Sequence, residues 1–193
     1  MNRVCVFCGS SPGARESYAE AARAMGRALV ERGLGLVYGG GRVGLMGIVA
    51  DTVLEAGGSV VGVIPHALMA REVGHRGLTE LRIVHSMHER KALMADLADG
   101  FVALPGGFGT FEEFCEVLTW SQLGIHPKPC ALLNVDGYYD ALLVLFEHAE
   151  REGFVRPAHR AMVLTETDPG RLLERMDAFL APVTSKWIVP DQR

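Results

Sequence analysis

The stretch LPGGFGTFEE, residues 104 to 113, contains the strand-to-helix turn from which the fold is predicted. An apolar run ends here in a proline and three glycines, and acidic, helix-like sequence follows at once. Glycines let the backbone of such a turn approach a ligand closely, and the amides of a helix N-terminus attract anions. We therefore expect Gly106, Gly107 and Gly109 to form a turn that binds an anionic ligand.

Thr110 and Glu113 allow two interpretations of the same turn. Their spacing fits the capping box, in which a hydroxyl and a carboxylate three residues later bond the free amides of a helix start. Acidic residues in a first helical turn also suit the helix dipole. Spacing alone therefore leaves Glu113 open as either a capping residue or a catalytic carboxylate.

Composition predicts one ordinary globular domain over residues 1–193, with a peripheral tail at 182–193. The net charge of −4 gives no basic surface for nucleic acid. No apolar run approaches the roughly 18 residues of a membrane span, and the N-terminal run is too short for a signal peptide. We expect a soluble, cytoplasmic protein that binds neither nucleic acid nor membrane.

Apolar runs alternate with helix-like segments along the whole chain. Strands that are apolar throughout, and not on one face only, are typical of a parallel sheet covered on both sides. The fold class predicted is therefore α/β, a Rossmann-like doubly wound, mainly parallel sheet with helices on both faces. Strands are predicted at 3–8, 34–38, 59–64, 81–85, 101–104, 129–135 and 162–165, and helices at 18–32, 45–55, 87–97, 110–123, 138–152 and 171–180.

Loops after successive parallel strands gather at one edge of the sheet, so GSS at 9–11, GGGRVG at 39–44 and PGGFGT at 105–110 are expected to converge. Residues 39–44 match the glycine fingerprint of dinucleotide sites, but the next strand does not end in the acid that would bind a ribose. A nucleoside monophosphate fits these converging loops better than a dinucleotide does. The candidate substrate-binding residues here are Gly9, Ser10, Gly40 and Gly41, and the sequence leaves open whether 39–44 or 106–110 holds the phosphate.

The segment MHERK at 87–91 places cations in the predicted first turn of a helix. Because Arg90 and Lys91 oppose the dipole there, we expect an anionic partner, either a ligand phosphate or the carboxylates of Glu112 and Glu113. The alternative is a solvated surface cluster. Met87, Lys91 and Glu112 join the candidate substrate-binding residues.

The sequence favours neither a metal nor a cofactor. The histidines are scattered, and Cys5 and Cys8 lie three apart in a predicted strand, which directs them to opposite faces. None of the three lysines, Lys91, Lys128 and Lys186, suits a pyridoxal phosphate Schiff base. The helix after the glycine turn carries more apolar surface than one buried face needs, which predicts a homodimer. The residues concerned are Leu118, Trp120, Leu123 and Ile125.

Three motifs together resemble one known family. PGGFGTFEE, YGGGRVGLMG at 38–47 and MHERK look like the LONELY GUY family of cytokinin riboside 5′-monophosphate phosphoribohydrolases, some of which carry an older label of lysine decarboxylase. Every fixed position of the family's PGGxGTxxE signature is matched. The resemblance runs from Val4 to about Pro182, which is nearly the whole chain.

The resemblance implies hydrolysis of the N-glycosidic bond of a purine nucleoside 5′-monophosphate, either AMP or an N6-modified form, to free base and ribose 5-phosphate. It implies a Rossmann-like dimer with sites near the subunit interface, and no metal or cofactor. In the terms of that family, Arg90 and Glu113 are catalytic, while Gly107, Gly109 and Thr110 hold the phosphate. A non-catalytic nucleotide-binding sensor of the same fold remains the alternative.

Overall fold

Seven apolar runs form strands in the computed structural model, which describes residues 1–69 and 74–182. They are almost wholly buried apart from the two edge strands, β4 and the second half of β7, because helices cover both faces of the sheet. The strands are β1 Arg3–Phe7, β2 Gly35–Tyr38, β3 Val60–Pro65, β4 Glu80–Val84, β5 Gly100–Ala103, β6 Cys130–Leu133 and β7 Val163–Glu166.

All the strand pairs in the described residues are parallel, in the order β4-β3-β2-β1-β5-β6-β7. The chain builds outward from β1 on one side and then from β5 on the other, so the order reverses between these two strands. In such sheets, ligands bind beyond the carboxyl ends of the strands at the point of reversal. The predicted fold class is confirmed, and its topology directs attention to the loops after β1 and β5.

Helices cover the sheet on both sides. They are α1 Glu16–Glu31, α2 Gly44–Glu55, α3 His66–Met69, α4 Met87–Leu97, α5 Phe108–Gln122, α6 Asp140–Arg151, α7 Pro157–Arg160 and α8 Pro169–Asp177. One apolar core joins the sheet to α1, α2 and α8, and a second joins it to α4, α5 and α6. Cys5 belongs to the second core and Cys8 to the first, in accord with their predicted opposite directions.

The structure differs from the sequence-based element boundaries by a few residues at most helix and strand ends. The segment between the strands predicted at 59–64 and 81–85 contains the short helix α3, and β4 begins at Glu80. Residues 70–73 and 183–193 lie outside the described part of the chain, so the predictions of a peripheral tail and of a single domain over 1–193 stay predictions. No described helix is both long and apolar enough to span a bilayer.

Candidate active site

The three glycine-containing loops meet at the carboxyl edge of the sheet. The Gly9 amide donates to the Pro105 carbonyl at 3.1 Å, and the Gly9 carbonyl accepts from the Leu45 amide at 3.0 Å. Gly44, which has a positive φ of 61°, packs so closely on the backbone of Ser10 that a Cβ would overlap it. The loop after β1 is therefore held between the other two.

A cavity of about 230 Å³ lies where these loops meet α4 and α5. Both predicted catalytic residues contribute to its wall, together with several of the predicted substrate-binding residues. Its lining consists of Cys8, Gly9, Ser10, Met46, Arg90, Gly107, Phe108, Gly109, Thr110 and Glu113. Cys8, Met46 and Phe108 were not identified from the sequence as site residues, although Cys8 adjoins one of the motifs quoted above and Met46 and Phe108 belong to two others.

The start of α5 presents an open backbone to this cavity. Gly107 is the N-cap residue and supplies no side-chain cap, so the first amides of the helix are not bonded in that way. A Cβ placed on Gly107 or on Gly109 would meet nothing within 4 Å. An exposed helix N-terminus of this kind is a ready site for a phosphate.

The capping-box interpretation of Thr110 and Glu113 is wrong. Because α5 already begins at Phe108, Thr110 lies inside the first turn and Glu113 lies in the second, so neither can cap the helix as predicted. Thr110 is buried and packs against Gly106, where a Cβ would overlap its hydroxyl. Glu113, three residues after Thr110, instead contributes its carboxylate to the cavity wall.

Arg90 is buried, with 5% of its surface exposed, and its guanidinium is anchored on backbone carbonyls. Its Nε donates to the Val63 carbonyl at 3.1 Å and its Nη2 to the Gly39 carbonyl at 2.9 Å. Gly39 must lack a side chain because a Cβ there would overlap the guanidinium. The cation is thus held rigidly at the cavity wall beside α5.

A variant of the capping box lies at the start of α4, in which the carboxylate bonds the amide of the residue before the N-cap. The hydroxyl of Ser86 accepts from the Glu89 amide at 3.1 Å, and the Glu89 carboxylate accepts from the His85 amide at 2.8 Å. The S-x-x-E spacing at 86–89 is a signal for this helix start that the sequence itself contains. It explains how α4 begins securely despite the cations that follow.

Charges at the site act on the buried thiols of β1 and the residue after it. Burial raises the pKa of the Cys8 thiol, and the negative charge of Glu113 raises it further. Burial also raises the pKa of Cys5, with an added increase from Glu113 and a smaller decrease from Arg90. Both thiols therefore stay protonated at neutral pH, which makes neither a nucleophile.

Lys91 and Glu112 form an ion pair away from the cavity. The Lys91 ammonium lies 2.5 Å from a Glu112 oxygen and 3.0 Å from a Glu116 oxygen. Burial lowers the pKa of Lys91, but its hydrogen bonds to the two carboxylates outweigh this effect and raise the pKa overall. The anionic partner expected for the 87–91 segment is thus found for Lys91 within the protein.

The other predicted binding residues also lie off the cavity wall. Gly40 and Gly41 are buried: the Gly40 carbonyl accepts from the His75 amide at 3.0 Å, and Gly41 pairs with Gly74 in an antiparallel bridge. Met87 touches Arg90 through its sulfur, 3.7 Å from Nη1. Their roles in binding stay predictions.

A second, more apolar cavity of about 240 Å³ adjoins the first and shares Gly9, Ser10 and Gly107 with it. Gly106, Leu45 and the rings of Tyr18 and Tyr138 also line it.

Two tyrosine hydroxyls hydrogen-bond backbone carbonyls at the glycine turn. The Tyr138 hydroxyl donates to the Gly106 carbonyl, and the Tyr139 hydroxyl donates to the Leu104 carbonyl at 2.6 Å. Sequence reasoning missed both residues, although their position shortly after a predicted strand places them at the carboxyl edge.

Comparison with known proteins shows the family of this chain. A protein-family model described as "Possible lysine decarboxylase" matches residues 46–176. The cytokinin riboside 5′-monophosphate phosphoribohydrolase of Rhodococcoides fascians is 58% identical over 166 residues, covering 86% of this chain and 84% of its own length. A probable enzyme of the same name from rice, Oryza sativa subsp. japonica, is 52% identical over 191 residues, covering 96% and 86%. The chain belongs to the LONELY GUY family.

Solved structures of more distant proteins share the architecture of this LONELY GUY chain. The molybdenum cofactor binding protein of Rippkaea orientalis superposes with a TM-score of 0.68 at 19% identity, covering 92% of this chain and 96% of its own. The molybdenum cofactor carrier protein of Chlamydomonas reinhardtii gives a TM-score of 0.67 at the same identity, covering 92% and 99%. At such low identity these likenesses support the fold alone.

Proposed function

We propose that this protein hydrolyses the N-glycosidic bond of AMP or an N6-modified adenosine 5′-monophosphate, releasing the free base and ribose 5-phosphate. One observation carries the proposal: Glu113 and Arg90 share a cavity with the open glycine amides at the start of α5. Membership of the LONELY GUY family and the names of its relatives support the same reaction. The two adjoining cavities offer room for a nucleoside monophosphate.

The phosphate binds at 106–110 and not at 39–44. Support comes from the contrast between the loops, since the open faces of Gly107 and Gly109 adjoin a helix N-terminus, where an anion is favoured. The carbonyls of Gly39 and Gly40 already accept hydrogen bonds from protein groups, and a phosphate needs donors. A phosphate at 39–44 would therefore face carbonyl oxygens, which cannot donate hydrogen bonds to it.

Bond cleavage builds positive charge on the ribose, which a fixed carboxylate stabilises. Glu113 supplies that carboxylate and positions the water whose oxygen bonds to C1′. The bond from C1′ to the base nitrogen breaks, and the base leaves with the electron pair and gains the proton that the attacking water loses. Arg90 offsets the phosphate charge and orients Glu113.

The lysine decarboxylase label fits the described lysines poorly. A pyridoxal phosphate enzyme needs a lysine amine free to form a Schiff base. Lys91 is paired with Glu112 and Glu116, and the Lys128 ammonium donates to the Ala95 carbonyl at 2.7 Å. Lys186 lies outside the described residues. The hydrolase assignment requires no such lysine.

Incubation with AMP and with N6-isopentenyl AMP separates the enzyme from a nucleotide sensor. Chromatography of the reaction mixture is expected to show free base and ribose 5-phosphate in equal amounts. Tight binding of both nucleotides with no base released would contradict the enzyme assignment and leave the sensor.

Glu113→Gln tests the carboxylate, with Glu112→Gln as a matched control one residue away. We expect Glu113→Gln to lower kcat by about 10²-fold or more while AMP still binds, because the charge acts in the transition state. Glu112→Gln should leave kcat nearly unchanged, since Glu112 pairs with Lys91 off the cavity wall. Equal effects of the two substitutions would argue against a catalytic Glu113.

We further propose a homodimer formed through the apolar surface at the end of α5. Leu123 and Ile125 are 50% and 65% exposed there, which leaves apolar area for a partner to cover. Light scattering is expected to give twice the chain mass, and Leu123→Asp with Ile125→Asp to give a monomer. A cytoplasmic location and the absence of a nucleic-acid partner stay predictions.

A further inference from the structure

We propose that His75 and Asp51, which lie outside both cavities, are positioning residues that fix the guanidinium of Arg90 by bracing the 39–44 loop. The inference rests on the proposed function, because it assumes that Arg90 acts in the site. It concerns residues of this chain that no motif quoted above contains.

The orientation of Arg90 depends on where one loop carbonyl lies. Of its two backbone anchors, the Val63 carbonyl belongs to β3 and is fixed by the sheet. The Gly39 carbonyl lies just beyond β2, and Gly40 follows it with a left-handed φ of 75°. A shift of this carbonyl would release Nη2 and let the guanidinium turn about its remaining anchor.

Residues 74 and 75 pair with the loop on its far side. The His75 amide donates to the Gly40 carbonyl at 3.0 Å, and Gly41 forms an antiparallel bridge with Gly74. These contacts lie on the two residues that directly follow Gly39, whose carbonyl anchors Arg90. Residues 74 and 75 therefore help to hold the loop in place.

The side chain of His75 ties this pairing to α2. It is 6% exposed, and its Nδ1 accepts from the Gly77 amide at 3.2 Å. Since Nδ1 acts as the acceptor, Nε2 carries the proton and donates to the Asp51 carboxylate at 2.7 Å. Asp51 belongs to α2, the helix that the loop leads into, so the contacts form a closed ring from Gly39 through Asp51 and His75 back to the loop.

Proteins keep a functional side chain within a fraction of an ångström of its working position by supporting it with buried, hydrogen-bonded groups. The competing explanation is an anchor that stabilises the loop with no consequence for Arg90. The two explanations differ in what happens to catalysis when the ring is opened at its solvent-exposed end, which is Asp51.

Asp51→Ala opens the ring on a helix that alanine favours, with Glu55→Ala one turn further along α2 as the control. We expect Asp51→Ala to lower kcat for N6-isopentenyl AMP about 10-fold, as loss of a supporting partner typically does, with KM changed less. Asp51→Asn, which keeps an acceptor for Nε2, should restore most of the rate, and Glu55→Ala should match the parent protein.

A double-mutant cycle with Arg90→Ala, read on both kcat and the Kd of AMP, decides the assignment. We expect Asp51→Ala to add no loss once Arg90 is gone, and to weaken the NMR signal of the Arg90 Nη2 hydrogens in the otherwise unchanged protein. Additive effects, or a lower Tm with kcat unaltered, would overturn the positioning role of His75 and Asp51 and leave the proposed role of Arg90 standing. A fully active Arg90→Ala protein would overturn the proposed role of Arg90 as well.

Discussion

The two glycine-rich turns at 39–44 and 106–110 look alike in sequence, yet they use glycine for opposite purposes. Each follows a parallel strand, leads into a helix and lies at the same edge of the sheet. In the first turn, the space that glycine leaves is filled by protein atoms, since Arg90 occupies the place of a Gly39 side chain. In the second, the space at Gly107 and Gly109 is open.

This contrast shows that a glycine motif alone does not reveal a phosphate site. What distinguishes the turns is the direction of their polar groups. The 39–44 turn offers carbonyls, which hold a buried cation, whereas the 106–110 turn offers the amides of a helix start without a side-chain cap, which suit an anion. One turn positions the charge of the protein and the other receives the charge of the ligand.

Gly39→Ala should break the first turn and give the largest effect. The new methyl group would overlap the guanidinium of Arg90, which cannot retreat without losing its carbonyl anchors. We expect kcat/KM to fall by about 10²-fold, because displacements of this size in a site have costs of that order. Steady-state kinetics checks this, and an active Gly39→Ala protein would show that the position of Arg90 is not critical.

Gly109→Ala should sharpen the contrast, because here stability and activity are expected to move in opposite directions. Nothing lies within 4 Å of the added methyl, so the fold accommodates it, and the free energy of unfolding should rise by about 0.4–1 kcal/mol. The same methyl intrudes on the phosphate site, so the Kd of AMP should rise about 10-fold. Thermal unfolding and calorimetric titration measure the two changes, and unaltered AMP affinity would place the phosphate elsewhere.

The fold was largely predictable because buried parallel strands are apolar along their whole length, and glycines and prolines separate them from the helices. Arg90, Glu113, Gly107 and Gly109 were also identified from motifs and from the family they resemble. Their convergence follows from topology, since loops after parallel strands share one edge.

What the sequence did not reveal depends on contacts between distant segments. The start of α5 was predicted two residues too late, and that error alone produced the capping-box interpretation of Glu113. The filling of the 39–44 turn by Arg90 requires three-dimensional packing across 51 residues. Local spacing contains no record of such contacts, so loops that look equivalent in sequence could not be told apart.

Tyr138→Phe and Tyr139→Phe test how firmly the open turn is held. The Tyr139 hydroxyl is buried, so its loss leaves the Leu104 carbonyl unpaired and should cost about 1–3 kcal/mol of stability. Tyr138 lines the second cavity and bonds the Gly106 carbonyl within the turn itself. We expect Tyr138→Phe to cost less stability but to lower kcat/KM a few-fold. Denaturant unfolding and kinetics on both variants check this, and the reverse ranking would contradict it.

Lys91→Met should have the smallest effect, although Lys91 adjoins Arg90 in the sequence. Its ammonium pairs with Glu112 and Glu116, and Glu112 is about half exposed, so screening by water limits the stabilisation to roughly 0–1 kcal/mol. Because the pair lies off the cavity wall, we expect the Kd of AMP to change less than about 2-fold, a bound set by the same weak coupling. Titration with AMP at low and high salt measures it. If Lys91→Met lowers the affinity for AMP tenfold, and high salt lowers the affinity of the parent protein by the same factor, Lys91 contacts the phosphate. The open turn would then need a cation from α4 to bind its ligand.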